Sequence, residues 1–246
     1  MPARHLHLIL SALLCWTIVG HANATDVVIV GDSTVQDWPT TDTKRGWGQL
    51  LPEYFAAEVT VANHAAGGRS SKTFRAEGRW AKVLAAHPKL VLIQFGHNDA
   101  HGPGRPESTD AATDFRDNML RYVDEAKAAG INVVLVTPPP HRVSGPHGGI
   151  DGGLVPYATA IKAVAKEKGV PCIDLFATAG ALFNGLGDVD RLALFYSNED
   201  RSHFSVRGAS LLAKIIAEAL MQEPLAKGML RKPSEWPAIN PSADRK

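Results

Sequence analysis

Gly31-Asp32-Ser33-Thr34 sets a serine hydroxyl directly behind a short apolar run. Such a hydroxyl becomes a nucleophile only when a base takes its proton and amide donors hold the oxyanion that its attack creates. Both kinds of partner recur further along the chain. Asn63-His64-Ala65-Ala66-Gly67-Gly68-Arg69 contains a glycine pair able to present a bare N–H at Gly68, and Gly96-His97-Asn98-Asp99 offers the side-chain amide of Asn98. Asp200-Arg201-Ser202-His203 can supply the base. Across a three-residue turn, a carboxylate folds back onto the Nδ1–H of the histidine and leaves Nε2 free to accept a proton. Each fragment also has a plainer reading. A Gly-Asp-Ser turn makes a helix cap through Asp32 or Ser33, and an Asp-x-x-His segment makes a capping or surface pair. The chemistry requires all four to meet.

The elements that would bring them together are legible as alternation. Short β-branched or apolar runs at 27–30, 59–62, 90–95, 132–137 and around 170–174 read as buried strands. Between and after them, segments 47–57, 75–86, 111–129, 155–168 and 206–221 carry apolar residues at helical spacing. In the last, Leu212, Ile215, Ile216 and Ala219 form one stripe. Strands separated by such helices imply right-handed crossovers and a parallel sheet covered on both faces, a three-layer α/β/α domain. Ser33, Gly68 and Asn98 then sit in turns on the carboxyl edge of that sheet, where open α/β folds bind ligands. The Pro-, Gly- and His-rich loop 138–153 reads as a wall of the binding site. No internal repeat is present.

At the start, Arg4 precedes an apolar run from Leu8 to Val19, and Ala22-Asn23-Ala24 offers the small residues of a cleavage site. Residues 1–24 therefore read as a signal peptide, with maturation near Thr25 and a secreted or periplasmic product that keeps no stable membrane insertion. The main domain is expected over 25–223, followed by a Pro-containing tail, 224–246, that packs irregularly or frays. Cys15 lies in the signal, which leaves Cys172 alone and excludes an internal disulfide in the mature chain. Arg4 is the only charged residue of the first 24, so the mature chain carries 25 cations and 25 anions. That balance argues against a nucleic-acid partner or any broad polyanion surface.

Together the four blocks, from Gly31 to His203 and in this order, resemble those of the SGNH, or GDSL-type, hydrolase superfamily. The resemblance implies a flavodoxin-like fold with a five-stranded parallel sheet, and a catalytic triad of Ser33, His203 and Asp200. It also implies an oxyanion hole formed by the N–H groups of Ser33 and Gly68 and the amide of Asn98. Thr34, Gly46-Trp47-Gly48, Gly67-Gly68-Arg69-Ser70-Ser71, Arg75, Glu77-Gly78-Arg79 and Phe95-Gly96-His97-Asn98-Asp99 are similar to rhamnogalacturonan acetylesterases. The implied activity is ester hydrolysis that removes acetyl groups from pectin, on an acetylated polysaccharide or oligosaccharide, by a monomer without cofactor.

Several side chains have competing readings. His97, His101, His141 and His147 match no standard zinc spacing, so no metal is expected. Trp38, Trp47 and Trp80 could stack on sugars or fill the core, and Arg69, Arg75 and Arg79 could meet galacturonate carboxylates or serve as solvated or capping cations. No Gly-x-Ser-x-Gly elbow, dinucleotide fingerprint or phosphate loop occurs. The alternatives are a lipase, thioesterase or broad carboxylesterase on the same fold, and a non-catalytic polysaccharide-binding protein.

Overall fold

A computed structural model describes residues 25–143 and 150–239. The expected signal peptide, His147 within 144–149, and residues 240–246 lie outside the described residues. Five strands, β1 (Val27–Val30), β2 (Val61–Asn63), β3 (Leu90–Ile93), β4 (Asn132–Val136) and β5 (Cys172–Ile173), pair in the order β2-β1-β3-β4-β5. All four pairings are parallel. The helices are α1 (Trp47–Leu50), α2 (Ser71–Ala76), α3 (Arg79–Ala85), α4 (Asp114–Ala128), α5 (Val155–Lys168), α6 (Leu175–Gly185), α7 (Asp188–Leu192) and α8 (Val206–Leu220).

The period-2 geometry of strands divides the apolar runs between two cores. Val27, Ile29, Leu90, Leu92 and Val134 face α1, α6 and α8, packing with Trp47, Phe183, Leu212 and Ile216. Val28, Val30, Val91, Ile93 and Val133 face the other layer, with Phe74, Trp80, Met119, Val123 and Ile161. Burying each such aliphatic side chain contributes about 1.5–3 kcal/mol, and this holds the sheet as a rigid platform.

Several boundaries differ from the sequence reading for local reasons. The helix expected over 47–57 is α up to Leu50 and then a 3₁₀ turn, Leu51–Tyr54, because Pro52 cannot donate the next helical hydrogen bond. The helix expected over 75–86 is two helices, broken at Gly78, whose φ of 71° is left-handed. The loop 138–153 contains a small antiparallel pair, His141–Arg142 with Ile150–Asp151, and a 3₁₀ turn, Gly152–Leu154. Of the tail, residues 224–239 are described, and they pack in irregular turns against the domain. Leu230 bridges to Phe55, the Arg231 N–H donates to the Tyr54 carbonyl at 2.9 Å, and the Trp236 ring meets that of Tyr54 edge-on at 5.2 Å.

At the amino end of the sheet, Asp26 joins three strands. Its Oδ2 accepts from the N–H and the hydroxyl of Thr60, each at 2.9 Å, and Oδ1 lies 2.7 Å from Lys89 Nζ. The Lys89 hydrogen bond, then those of Thr60, lower the Asp26 pKa from 3.8 to about 2. A depressed carboxylate stabilises the fold above its unfolded pKa and ceases to do so as pH falls through the folded value. Lys89 is 69% exposed, and solvent screening discounts the contribution to about 1 kcal/mol. Asp26→Asn is therefore expected to lower the unfolding free energy by about that amount at neutral pH. In urea titrations the gap from the wild type should close as pH drops from near 4 to near 2.

Candidate active site

The turn after β1 is held from beneath. A Cβ on Gly31 would lie 2.5 Å from Val35 Cγ2 and 2.8 Å from the Gln94 carbonyl, so only glycine lets β1 turn so close to β3. Asp32 is fully buried, and its Oδ1 accepts from the Thr34 N–H at 2.9 Å and the Thr34 hydroxyl at 2.8 Å. Burial pushes its pKa up, while the Thr34 hydrogen bonds oppose the shift. Gln94, at the end of β3, donates to Thr34 Oγ1 at 3.0 Å and accepts from Trp47 Nε1 at 2.7 Å. The capping carboxylate of the turn is thus Asp32, which leaves Ser33 Oγ free for another partner.

That partner is His203. Its Nε2 lies 2.9 Å from Ser33 Oγ, and its Nδ1 lies 2.8 Å from Asp200 Oδ2. Asp200 Oδ1 accepts the N–H groups of Ser202 at 2.9 Å and His203 at 2.8 Å. Burial alone would raise the Asp200 pKa, but the hydrogen bonds from His203 and the Ser202 amide outweigh it and hold the carboxyl well below its usual range. Phe204–Ser205 pairs antiparallel with Lys44–Arg45, which draws the segment before α8 against the loop that follows Ser33. Ser205 then caps α8, accepting from the Gly208 N–H at 3.2 Å. The Trp38 indole donates to the Ser33 carbonyl at 3.0 Å and meets the His203 ring edge-on at 5.6 Å.

The turn after β2 closes on the same place. The Ala66 N–H donates to the Gly31 carbonyl at 2.9 Å, and Gly68 adopts a φ of 76°. Asn98, 7% exposed, gives one amide hydrogen to the Arg69 carbonyl at 3.0 Å, which anchors it beside Gly68 and leaves its second hydrogen without an acceptor among the described residues. The N–H groups of Ser33 and Gly68 have no hydrogen-bond acceptor among the described residues. Asp99, buried, secures the turn after β3 to Ser71 Oγ at 2.6 Å and Thr109 Oγ1 at 2.9 Å, and burial raises its pKa to about 6. A base within reach of a hydroxyl, oriented by a carboxylate and flanked by idle amide donors, can drive acyl transfer.

Sequence reasoning missed Arg142. Its guanidinium is buried and donates to the carbonyls of Asn198, of Asp200 at 3.2 Å and of Val143 at 3.2 Å. The Arg142 N–H donates to the Arg201 carbonyl at 3.0 Å, and Arg201 Nε returns a bond to the Arg142 carbonyl at 2.9 Å. The segment after β4 therefore braces the Asp200 turn. A lone arginine donating to carbonyls leaves no spacing pattern in a sequence.

The competing side chains also separate. Trp47 and Trp80 are core residues, and Arg75 is bound to Glu125 at 2.6 Å beneath Trp80. His97 Nδ1 lies 2.8 Å from His141 Nε2, and burial drives the His97 pKa down to about 3, so that residue is neutral at ordinary pH. Among the described residues no three His, Cys, Asp or Glu side chains are grouped as metal ligands.

Residues 29–211 match the profile of the GDSL-like Lipase/Acylhydrolase family. A rhamnogalacturonan acetylesterase of Bacillus subtilis (strain 168), RhgT, is 37% identical over 210 residues, covering 79% of this chain and 88% of that protein. The rhamnogalacturonan acetylesterase of Emericella nidulans is 27% identical over 234 residues, 85% of this chain and 90% of that one. The crystal structure of YxiM from Bacillus subtilis superimposes with a TM-score of 0.70 at 27% identity; the match takes in 81% of this chain and 57% of that one. The chain thus belongs to the GDSL-like lipase/acylhydrolase family and is an ester hydrolase.

Proposed function

We propose that this protein removes acetyl groups from a plant cell-wall polysaccharide, with the rhamnogalacturonan of pectin as substrate, by two-step acyl transfer through Ser33. The observation that carries the reaction is the hydrogen-bonded chain from Asp200 through His203 to Ser33, at 2.8 and 2.9 Å. The substrate reading draws its support from the two rhamnogalacturonan acetylesterases that resemble this chain over most of its length.

In the first step His203 Nε2 takes the Ser33 proton as Oγ bonds to the acetyl carbonyl carbon, and the carbonyl π electrons move to oxygen. That oxyanion is received by the N–H groups of Ser33 and Gly68 and by the free amide hydrogen of Asn98. Collapse expels the sugar oxygen, which takes the proton from His203. Water then attacks the acetyl-enzyme by the same route, releasing acetate and restoring the Ser33 hydroxyl. Asn98→Ala removes one oxyanion donor and is expected to lower kcat for acetate release by about 10²- to 10³-fold, with KM nearly unchanged.

The deciding experiment measures acetate release from acetylated rhamnogalacturonan, homogalacturonan and xylan in parallel, with Ser33→Ala as control. Preference for rhamnogalacturonan is the expected result, and equal or faster release from xylan would sink the pectin reading. Comparison of p-nitrophenyl acetate with the octanoate tests the acyl half, where faster octanoate hydrolysis would point to a lipase. We place the enzyme outside the cytoplasm, with residues 1–24 removed. Among the described residues no helix is long and apolar enough to cross a membrane. Amino-terminal sequencing of the exported protein should begin near Thr25.

A further inference from the structure

An anionic polymer finds no broad positive field on a chain with 26 cations and 25 anions, so its carboxylates must be met locally. The cations near the candidate active site are not equivalent. Arg75 is consumed by Glu125 and lies over the Tyr122 ring at 5.0 Å. Arg69 and Arg79 share one carboxylate, that of Glu77, at 3.1 and 2.7 Å. Those two hydrogen bonds, Arg79 first, lower the Glu77 pKa, so the carboxylate is ionised and its single charge is divided between two guanidinium groups. Lys82 stands one turn beyond Arg79 on the same face of α3, exposed and without an ion pair among the described residues.

Of these side chains, Glu77, Arg79 and Lys82 line a cleft of about 400 Å³ that Asn63, His64 and Ala65 also bound. That volume falls in the range of small-ligand sites. Its floor is the turn after β2, the strand beside β1, and Asn63 lies in register with Ile29. The cleft therefore opens on the edge from which Ser33 emerges, one strand over. Asn63 Nδ2 also donates to the Val35 carbonyl at 2.8 Å and to Asp37 Oδ1 at 2.7 Å, fixing the cleft floor to the nucleophile turn. Burial lowers the His64 pKa, which keeps a neutral imidazole at the wall, suited to hydroxyl groups.

We infer that this cleft is a subsite for a uronate sugar of the substrate backbone, with Lys82 and Arg79 receiving its carboxylate and His64 facing its ring hydroxyls. The inference rests on the polysaccharide reading above and deepens it. A polymer whose acetylated residue occupies Ser33 continues past β2, and in rhamnogalacturonan the backbone alternates a uronic acid with a neutral sugar. The lining sets two cations, Arg79 and Lys82, against the one carboxylate of Glu77, which leaves net positive charge for it. Acetylated xylan, if uncharged, has nothing to offer Lys82.

The test pairs binding with turnover. Calorimetric titration with trigalacturonate, which needs no chemistry at Ser33, should show wild-type binding weakened about fivefold in Lys82→Ala and about tenfold or more in Lys82→Glu. Wild-type binding should also weaken at about 0.5 M salt, and uncharged xylotriose should not distinguish the three proteins. In turnover, the KM on acetylated rhamnogalacturonan oligosaccharides should rise by the same factors relative to the KM on acetylated xylo-oligosaccharides. Wild-type protein that binds no trigalacturonate, or Lys82→Glu that binds it as tightly as wild type, overturns the subsite. Wild-type protein that binds trigalacturonate in the expected way but releases no acetate from rhamnogalacturonan overturns the substrate reading and leaves the subsite standing.

Discussion

Ser33→Ala is expected to reduce kcat for acetate release by about 10⁵- to 10⁶-fold while leaving the unfolding free energy within about 0.5 kcal/mol of wild type. Both halves follow from the one bond its hydroxyl makes among the described residues, to His203 Nε2 at 2.9 Å. Without Oγ no acyl-enzyme can form, and what remains is water attacking an ester held by the amide donors and the binding cleft, a residual of about 10³-fold over solution. The fold loses nothing comparable, because Ser33 Oγ caps no helix and Asp32 supplies the acceptor for the turn. The plainer reading of the same residue, a capping serine, gives the opposite pattern: about 1 kcal/mol of stability lost and turnover retained. Steady-state acetate release and urea unfolding on one preparation separate the two, and fluorophosphonate labelling should vanish with the activity.

How much of this site the sequence discloses depends on the range over which each residue acts. Ser33, Gly68, Asn98, Asp200 and His203 each stand at the end of an apolar run or within a short turn, so type and spacing suffice to nominate them. Parallel topology brings Ser33, Gly68 and Asn98 to one edge, because every turn leaving a parallel strand in the same direction reaches it, and the pairing of Phe204–Ser205 with Lys44–Arg45 brings Asp200 and His203 there. Gln94 and Arg142 escape such reasoning. Gln94 meets Trp47 across 47 residues, and Arg142 meets Asp200 across 58. Their partners are a buried indole and backbone carbonyls, neither of which requires a recognisable motif.

The same contrast runs through the fold. β1, β3 and α5 are bounded by chemistry at their own ends, and α5 begins and stops where the sequence says, at Val155 and Lys168. α6 and α7 were not anticipated. α6, with the sequence LFATAGALFNG, is capped by Asp174 but interrupts its alanines and leucines with Thr178 and Gly180, which weaken local helix preference. Its helix is stabilised by burying Leu175, Ala179 and Phe183 in the same core as Leu212 and Ile216 of α8. A stripe at four-residue spacing is present, but its partner lies on another element, and only the assembled core supplies the energy that outweighs weak local preference.

Asp200→Asn is expected to lower kcat by about 10⁴-fold with little change in fold, and the reason is the direction of one hydrogen bond. In the wild type the carboxylate accepts on both oxygens: Oδ1 from the Ser202 and His203 N–H groups, Oδ2 from His203 Nδ1–H. An asparagine can keep its oxygen on the two backbone donors, which preserves the turn that Arg142 braces from the other side. Its amide nitrogen must then face His203 Nδ1 as a donor. The imidazole can answer only by moving its proton to Nε2, the atom that has to accept from Ser33. The base is thereby disarmed while every heavy atom stays in place. Asp200→Ala would instead lose the turn as well as the tautomer. If orientation of the ring were all that Asp200 contributed, the asparagine variant would retain substantial activity and the alanine variant would not. If the tautomer decides, both are inactive, but Asp200→Asn should unfold in urea within about 1 kcal/mol of wild type and lose the hydrogen-bonded Nδ1–H proton signal of His203. Asp200, held well below the usual carboxylate range, stays ionised throughout the neutral region, so its protonation should put no inflection into the wild-type pH–rate profile there.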